Sequence, residues 1–404
     1  MSFITIIIGS LLLLDLTWWF AADRLLRRAG FKHRARLLHG AFFGLQLVGL
    51  VAVIAARQSE FWDQAPKAVT SAVYLWHLLI LPPLLPFLLI GGLLGFVFWL
   101  VQKLRTPAAH VATNDEETSG ISRRAFFAST VAFAPQVLTL GLTGVSLRQL
   151  EQFRIRPVTV PIRDLPAALD GVTIAHVTDI HAGRFTRSAV LRRMATAVND
   201  LRADVVVVTG DLINGALHEL PEGIETVRRF DARAGVYMIE GNHDLFPGRE
   251  AFESRVRASG IRLLVNESEL LAVRGHPVQL LGLRWGGPGF GRRQGSGDAA
   301  IAASFSELIR LRDPEAFPVL LAHHPHAFDA AAAAQLPLTL SGHTHGGQLM
   351  LNAETGFGPM MFRYWSGLYT KGDSHLIVSN GVGNWFPLRT SAPAEIIHVT
   401  LRRV

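Results

Sequence analysis

Cysteine is absent from the 404-residue chain, which excludes disulfides and thiolate metal sites and removes that clue to redox compartment. Charge is scarce as well. Asp, Glu, Lys and Arg make up 18 % of the residues against 49 % apolar, an excess of grease for a fully soluble protein. The scarcity is uneven: residues 4–14 and 78–100 hold no charged side chain, and the apolar excess lies before about residue 150. The length leaves room for one large catalytic domain plus something else, and no internal repeat is evident.

Four segments have the roughly 20 apolar residues that a helix needs to cross a bilayer: residues 3–22, 38–56, 69–101 and 125–147. The third is longer than one crossing requires and carries Pro82, Pro83 and Pro86, so it reads as a single tilted or kinked span with an interfacial extension. The net charge of +7 does not point to nucleic acid. Much of it comes from Arg24, Arg27, Arg28, Lys32, Arg34 and Arg36, between the first two segments, where basic residues are a topology signal.

The loop at 58–67 is nearly balanced, while 102–124 holds Lys103, Arg105, Arg123 and Arg124. By the positive-inside rule the first and third loops face the cytoplasm and everything after about residue 150 lies outside it. Ser122-Arg123-Arg124-Ala125-Phe126-Phe127 resembles a twin-arginine export signal; two arginines anchoring the fourth helix are an equal alternative, and both give the same side. A third segment that crossed twice would reverse the orientation. Residues 106–120 read as a cytoplasmic loop.

Past Arg154 the pattern changes to short β-branched runs between Gly, Pro and Asp. Residues 172–177 and 205–209 are nearly continuous apolar runs, as in strands buried on both faces. Residues 188–198, opening after Thr186 as a cap, read as the connecting helix. Further strands are expected at 236–240, 278–283, 319–322, 336–340, 376–379 and 396–401, and helices at 250–259, 301–311 and 326–334. This alternation predicts an α/β sandwich of mixed sheets.

Five polar motifs stand at the ends of these runs: Asp179-Ile180-His181, Gly210-Asp211 with Asn214, Gly241-Asn242-His243-Asp244, His323-His324-Pro325 and Gly342-His343-Thr344-His345. Ligand sites in open α/β sheets gather beyond the carboxyl ends of strands. Carboxylates, an amide and imidazoles converging there are hard to explain as packing and suit a two-metal hydrolytic centre. Lone histidines are usually structural, and His176, His324 and His326 are read so; Asp200 and Asp204 are read as cap or surface residues.

The ordered set across about residues 172–401 resembles the calcineurin-like metallophosphoesterases, and Gly342-His343-Thr344-His345-Gly346-Gly347-Gln348 resembles their membrane-anchored bacterial branch. The resemblance implies membrane helices over 1–150 and a metallophosphoesterase α/β sandwich over 151–404. It implies that Asp179, His181 and His345 bind one divalent ion, that Asn242, His323 and His343 bind a second, and that Asp211 bridges them. The donor set suits Mn²⁺, Fe or Zn²⁺ without choosing among them. Two such ions lower the pKa of a shared water, and the hydroxide attacks phosphorus in line with the leaving oxygen. His243 matches the family histidine that contacts the phosphate and protonates the leaving group, while Asn214 and Asp244 would orient ligands.

Family membership fixes a reaction class, not a substrate. Phe357, Met360, Met361, Phe362, Tyr364, Trp365 and Tyr369, with Trp385 and Phe386, are divided between core packing and an apolar groove for a lipid-linked phosphoester. Arg363 and Arg389 are candidate receivers of a second phosphate or a headgroup. Two rivals are a cytoplasm-facing lipid-precursor pyrophosphatase, similar to UDP-2,3-diacylglucosamine hydrolases, and a membrane scaffold or transporter whose interior acid and base would be Asp15 and His77.

Overall fold

The computed structural model describes residues 3–404 except 58, 105–121, 287–293, 349, 351, 353–354, 357 and 390. The expected loop at 106–120 and Phe357 therefore lie outside the described residues. The chain forms two compact units, Met1–Leu147 and Arg148–Val404.

In the first unit, α1 (Phe3–Arg28), α2 (His33–Arg57), α3 (Lys67–Tyr74) and α4 (Leu81–Leu104) precede α5 (Arg123–Gln149), which runs on into the second unit. Four stretches are long and apolar enough to cross a membrane: Ile6–Arg28, His33–Arg57, Lys67–Leu104 and Arg123–Gln149. Lys67–Leu104 is one helical path of 38 residues, joined between α3 and α4 by a π-helical turn at Leu75–Ile80. At 1.5 Å per residue it is about 57 Å long, nearly twice the hydrocarbon thickness. Pro82 and Pro83 do not break it. They stand directly after the π turn, at the start of α4.

The π turn has a chemical consequence. Its amides reach five residues back instead of four, and the imidazole of His77 supplies a donor to the Val73 carbonyl, four residues back (2.8 Å). The other ring nitrogen meets Asp15 Oδ2 at 2.8 Å, and Trp76 Nε1 donates to Asp15 Oδ1 at 2.7 Å. Both polar residues that suggested a transporter are thus buried in one closed contact between α1 and the π turn.

The second unit holds β1 (Phe153–Ile162), β2 (Thr173–Val177), α6 (Ser188–Asp200), β3 (Val205–Thr209), α7 (Leu220–Arg228), β4 (Val236–Ile239), α8 (Arg249–Ala258) and β5 (Arg262–Leu263). There follow β6 (Glu267–Val273), β7 (His276–Gly282), α9 (Gln294–Leu308), β8 (Phe317–Leu321), α10 (Ala327–Ala333) and β9 (Leu338–Ser341). The last three strands are β10 (Gly367–Lys371), β11 (Ser374–Val378) and β12 (Ala394–Arg403).

They build two six-stranded sheets, ordered β1-β12-β2-β3-β4-β5 and β10-β11-β9-β8-β7-β6. Both are mixed: β2 to β5 run parallel while β12 opposes β2, and β7, β8, β9 and β11 run parallel between antiparallel edges. Ile174, Val207, Ile239, Leu280, Val319, Leu338 and Ile377 meet between the sheets in one buried cluster. Residues of α6, α7 and α8 cover Val206 and Val208 on one outer face, and those of α9 and α10 cover Leu320 and Leu376 on the other. The expected sandwich of mixed sheets is what forms. Arg187, not Thr186, stands at the N-cap of α6, without a side-chain cap bond; the Thr186 hydroxyl instead accepts from the Asn384 amide.

Candidate metal centre

The carboxyl ends of β2, β3, β4, β8 and β9 come from both sheets, and the polar motifs stand just past them. Asp179, His181, Asp211, His343 and His345 have φ of 53°, 44°, 56°, 72° and 50°. Holding a non-glycine residue in that left-handed region costs roughly 1–3 kcal/mol, a strain characteristic of functional sites. Here it turns side chains from separate strands toward one point. Gly241 and Gly342 let the loops pack this closely, because a Cβ on the first would collide with the Asp211 carboxylate and on the second with Thr178 and Asp179.

On one side His345 Nε2 lies 3.1 Å from Asp179 Oδ1 and 3.0 Å from His181 Nε2. Asp211 Oδ2 stands between the two halves, 3.6 Å from His181 Nε2 and 3.2 Å from His323 Nε2. On the far side His343 Nδ1 is 2.9 Å from Asn242 Oδ1, and the His323 and His343 rings are 5.1 Å apart. Among the described residues, three buried groups have donor atoms close enough to hold a cation: Asp179, His181 and His345; His181, Asp211 and His243; Asp179, Asp211 and His323.

The donors fit divalent ions. Ligands about 2.1 Å from one ion at right angles stand about 3.0 Å apart, the spacing of His181 and His345. His323 Nδ1–H donates to the Thr209 carbonyl at 2.7 Å, which turns Nε2 into the buried centre, 3.2 Å from Asp211 Oδ2. A backbone carbonyl fixing the tautomer in this way is typical of metal-binding histidine. Electrostatics agree. Burial opposes charge on His323, but Asp211 overrides it and raises the pKa to about 9, so positive charge is favoured at that point. Burial likewise resists ionisation of Asp179, yet His345 and His181 hold its carboxyl well below the usual range. His343 is lowered to about 3 by burial and by His323, leaving a neutral imidazole.

Around these lie supporting contacts. Asp179 accepts from the His343 amide and from Thr178 Oγ1, and Asp211 accepts from the His243 amide at 2.8 Å. The Asp244 carboxylate accepts from the amides of Ile213 and Gly241, tying the turn after β3 to the turn after β4. His243 Nδ1–H donates to the Asn214 main-chain carbonyl at 2.8 Å; the contact runs through that backbone and not through the Asn214 amide. Burial lowers the His243 pKa, with Asp211 opposing.

Several expected residues fall elsewhere. Arg389 is fully buried and engaged with Asn384 Oδ1, the Asn380, Ala392 and Gly383 carbonyls and His345 Nδ1, so it is not placed to receive a phosphate. Arg363 pairs with Asp329 and Asp298. Tyr364 donates to Asp329 and packs on Phe328 and Tyr369, and the Trp365 backbone is pinned by Thr344 and Tyr369. His324, read as structural, instead borders the centre, 4.8 Å from the His343 ring. Phe246, Glu240 and Trp285 were not singled out by motif or period, yet all three are close. Phe246 and Trp385 flank His243 at 4.6 and 5.7 Å between ring centres, and Trp285 flanks His323 and His343.

The two-sheet α/β sandwich, with acid, amide and imidazole donors at its strand ends, fits a dinuclear divalent metal site. Residues 172–347 match the family described as Calcineurin-like phosphoesterase, which supports a metal-dependent phosphoester hydrolase. It is similar to a transmembrane protein with metallophosphoesterase domain from Danio rerio, 26 % identical over 79 % of this chain and 71 % of the relative. That share exceeds the second unit alone, so the similarity extends into the apolar helices. It is 29 % identical to the uncharacterized metallophosphoesterase YkuE of Bacillus subtilis, over 70 % of this chain and 98 % of the relative. An uncharacterized metallophosphoesterase of Campylobacter jejuni is 29 % identical over 66 % and 68 %.

Proposed function

We propose that residues 1–150 anchor the chain in a bacterial plasma membrane and that residues 151–404 hydrolyse, outside the cytoplasm, a phosphoester or pyrophosphate bond of a lipid-linked substrate. Asp179, His181 and His345 would hold one divalent ion, Asn242, His323 and His343 a second, and Asp211 both. Bound there, the ions supply Lewis-acid stabilisation of the phosphoryl oxygens and a water of lowered pKa. The protein's own part is orientation and proton handling. Asp211 and Asp179 are held ionised, Asp244 fixes the spacing of two ligand turns, and the Asn214 carbonyl aims His243. His243 would contact the phosphate and protonate the leaving oxygen.

The observation that carries the substrate class is the rim of the site. A cleft of about 100 Å³ is lined by Asp211, Asn242, His243, His343 and His345. Met361, Phe362 and Trp385 line its mouth. Met360, Met361 and Phe246 are 83, 59 and 46 % exposed, an apolar rim of the kind that marks an interaction site. A nucleobase could stack on its aromatic members but would leave Met360 and Met361 unused. An acyl or isoprenoid chain would use them, and membrane anchoring raises the local concentration of such substrates. The absence of a reversal along Lys67–Leu104 supports one crossing there, and with it the extracytoplasmic side.

The test compares kcat/KM for a lipid phosphoester and its soluble short-chain analogue before and after Met361→Ser and Phe362→Ser. The expected result is loss of the preference for the lipid with the short-chain rate nearly retained. Equal losses on both substrates would remove the rim as a lipid contact.

A further inference from the structure

Glu240, Arg249 and Trp285 lie outside every motif of the centre, yet they meet beside it. Glu240 follows β4 of the first sheet directly and is fully buried. Trp285 follows β7 in the second sheet, and its amide donates to Glu240 Oε1 at 3.1 Å. Arg249, the first residue of α8, pairs with the same carboxylate and donates to the Trp285 carbonyl at 3.0 Å. The Trp285 backbone is therefore gripped on both sides by one ion pair. Its indole lies 5.5 Å from the His323 ring and 5.2 Å from that of His343, with His324 at 5.8 Å.

We propose that Glu240, Arg249 and Trp285 form a brace between the two sheets that positions His323 and His343, and so sets how tightly their half of the centre holds its cation. This rests on the two-ion reading above. Asp211 and Asn242 come from the first sheet and His323 and His343 from the second, so a slip between sheets changes ligand spacing directly. Ions about 3.5–4 Å apart tolerate little such slip. A buried carboxylate is expensive unless paired, and a hydrophobic residue would serve a mere packing role at lower cost. Here the carboxylate joins strand ends of opposite sheets through the Trp285 backbone, whose indole lies beside both imidazoles. These are positioning residues: they act through the histidines.

The experiment is Mn²⁺ titration of the full chain in detergent, with bound metal counted, for wild type, Glu240→Gln, Arg249→Met, Arg249→Lys and Trp285→Phe. Glu253→Gln, on the outer side of Arg249, is the control. Wild type should bind two ions; fewer than two overturns the two-ion reading itself. Given two, Glu240→Gln and Arg249→Met should weaken one ion by about 10–100-fold and leave the other unchanged, the range for residues that orient metal ligands. Arg249→Lys should recover part of the loss, and Glu253→Gln should show none. Catalytic loss should be reversed by added Mn²⁺ with little change in KM for substrate. Unchanged isotherms for both ions, or equal weakening of both together with a lowered metal-free melting temperature, overturn the brace.

Discussion

At the scale of single residues the centre depends on charges that are stable only in each other's company. Asp211 is buried between His181 and His323, with one carboxylate oxygen 3.6 and 3.2 Å from their Nε2 atoms. Asp211→Asn should therefore cost metal in both halves and most of the activity, read as metal content after dialysis together with kcat; full content and full rate would sink its bridging role. A second prediction concerns pH. His323 has its pKa raised from 6.5 to about 9, so its contribution to stability is complete below pH 6.5 and is lost as pH rises through 9. Chelated protein should show a falling denaturation midpoint over that window. Saturating Mn²⁺ should flatten the fall, since a cation takes the proton's place, and His323→Asn should abolish it. A flat profile in chelated wild type would count against the Asp211–His323 contact.

At the scale of elements the reaction centre is made by turns, and the strands serve to hold them. The turn after β9 shows this most sharply. Gly342 leaves β9 where any side chain would meet Thr178 and Asp179, and His343 and His345 follow directly in left-handed conformations. Gly342→Ala should destabilise the fold by about 1–3 kcal/mol, as overpacking does. Because it displaces two ligand candidates, it should cut activity by more than the stability loss explains; unaltered kcat with a lowered melting temperature would disconnect the turn from the site. Element legibility followed period. The buried runs at β2, β3, β4 and β8 were readable because strands covered on both faces are uniformly apolar. β1 was not, since Phe153–Ile162 alternates Arg with apolar residues and contains Pro157 and Pro161, tolerable because it pairs only with β12 at a sheet edge. α7 was missed because Pro and Gly interrupt a helix of nine residues. β6 was missed because Glu267, Ser268 and Glu269 open it.

At the scale of the whole molecule, four apolar helical stretches and a hydrolase unit share one chain, and orientation decides which substrates they reach. If the extracytoplasmic reading holds, protease added to intact spheroplasts should cut within 148–404 while inside-out vesicles protect it; the reverse pattern would favour the cytoplasm-facing alternative. The Asp15, Trp76 and His77 contact bears on the remaining alternative. There a buried carboxylate engaged by two donors ties α1 to the π turn.

What the amino-acid sequence by itself determined was the kind of chemistry and where along the chain it sits. Donor types, their order and their position after apolar runs survive in one dimension, because each motif is local and each buried strand declares itself by composition. Tertiary structure decided which rings meet. Arg389 looked available for a phosphate and is instead locked behind His345, and Tyr364 and Trp365 are spent on anchoring while Met361, Phe362 and Phe246 reach the mouth. Glu240 and Trp285 share no motif and lie 45 residues apart in the chain, yet join through an amide hydrogen bond. Contacts between opposed sheets depend on twist, register and the left-handed turns at strand ends, and no periodic pattern in a sequence records those.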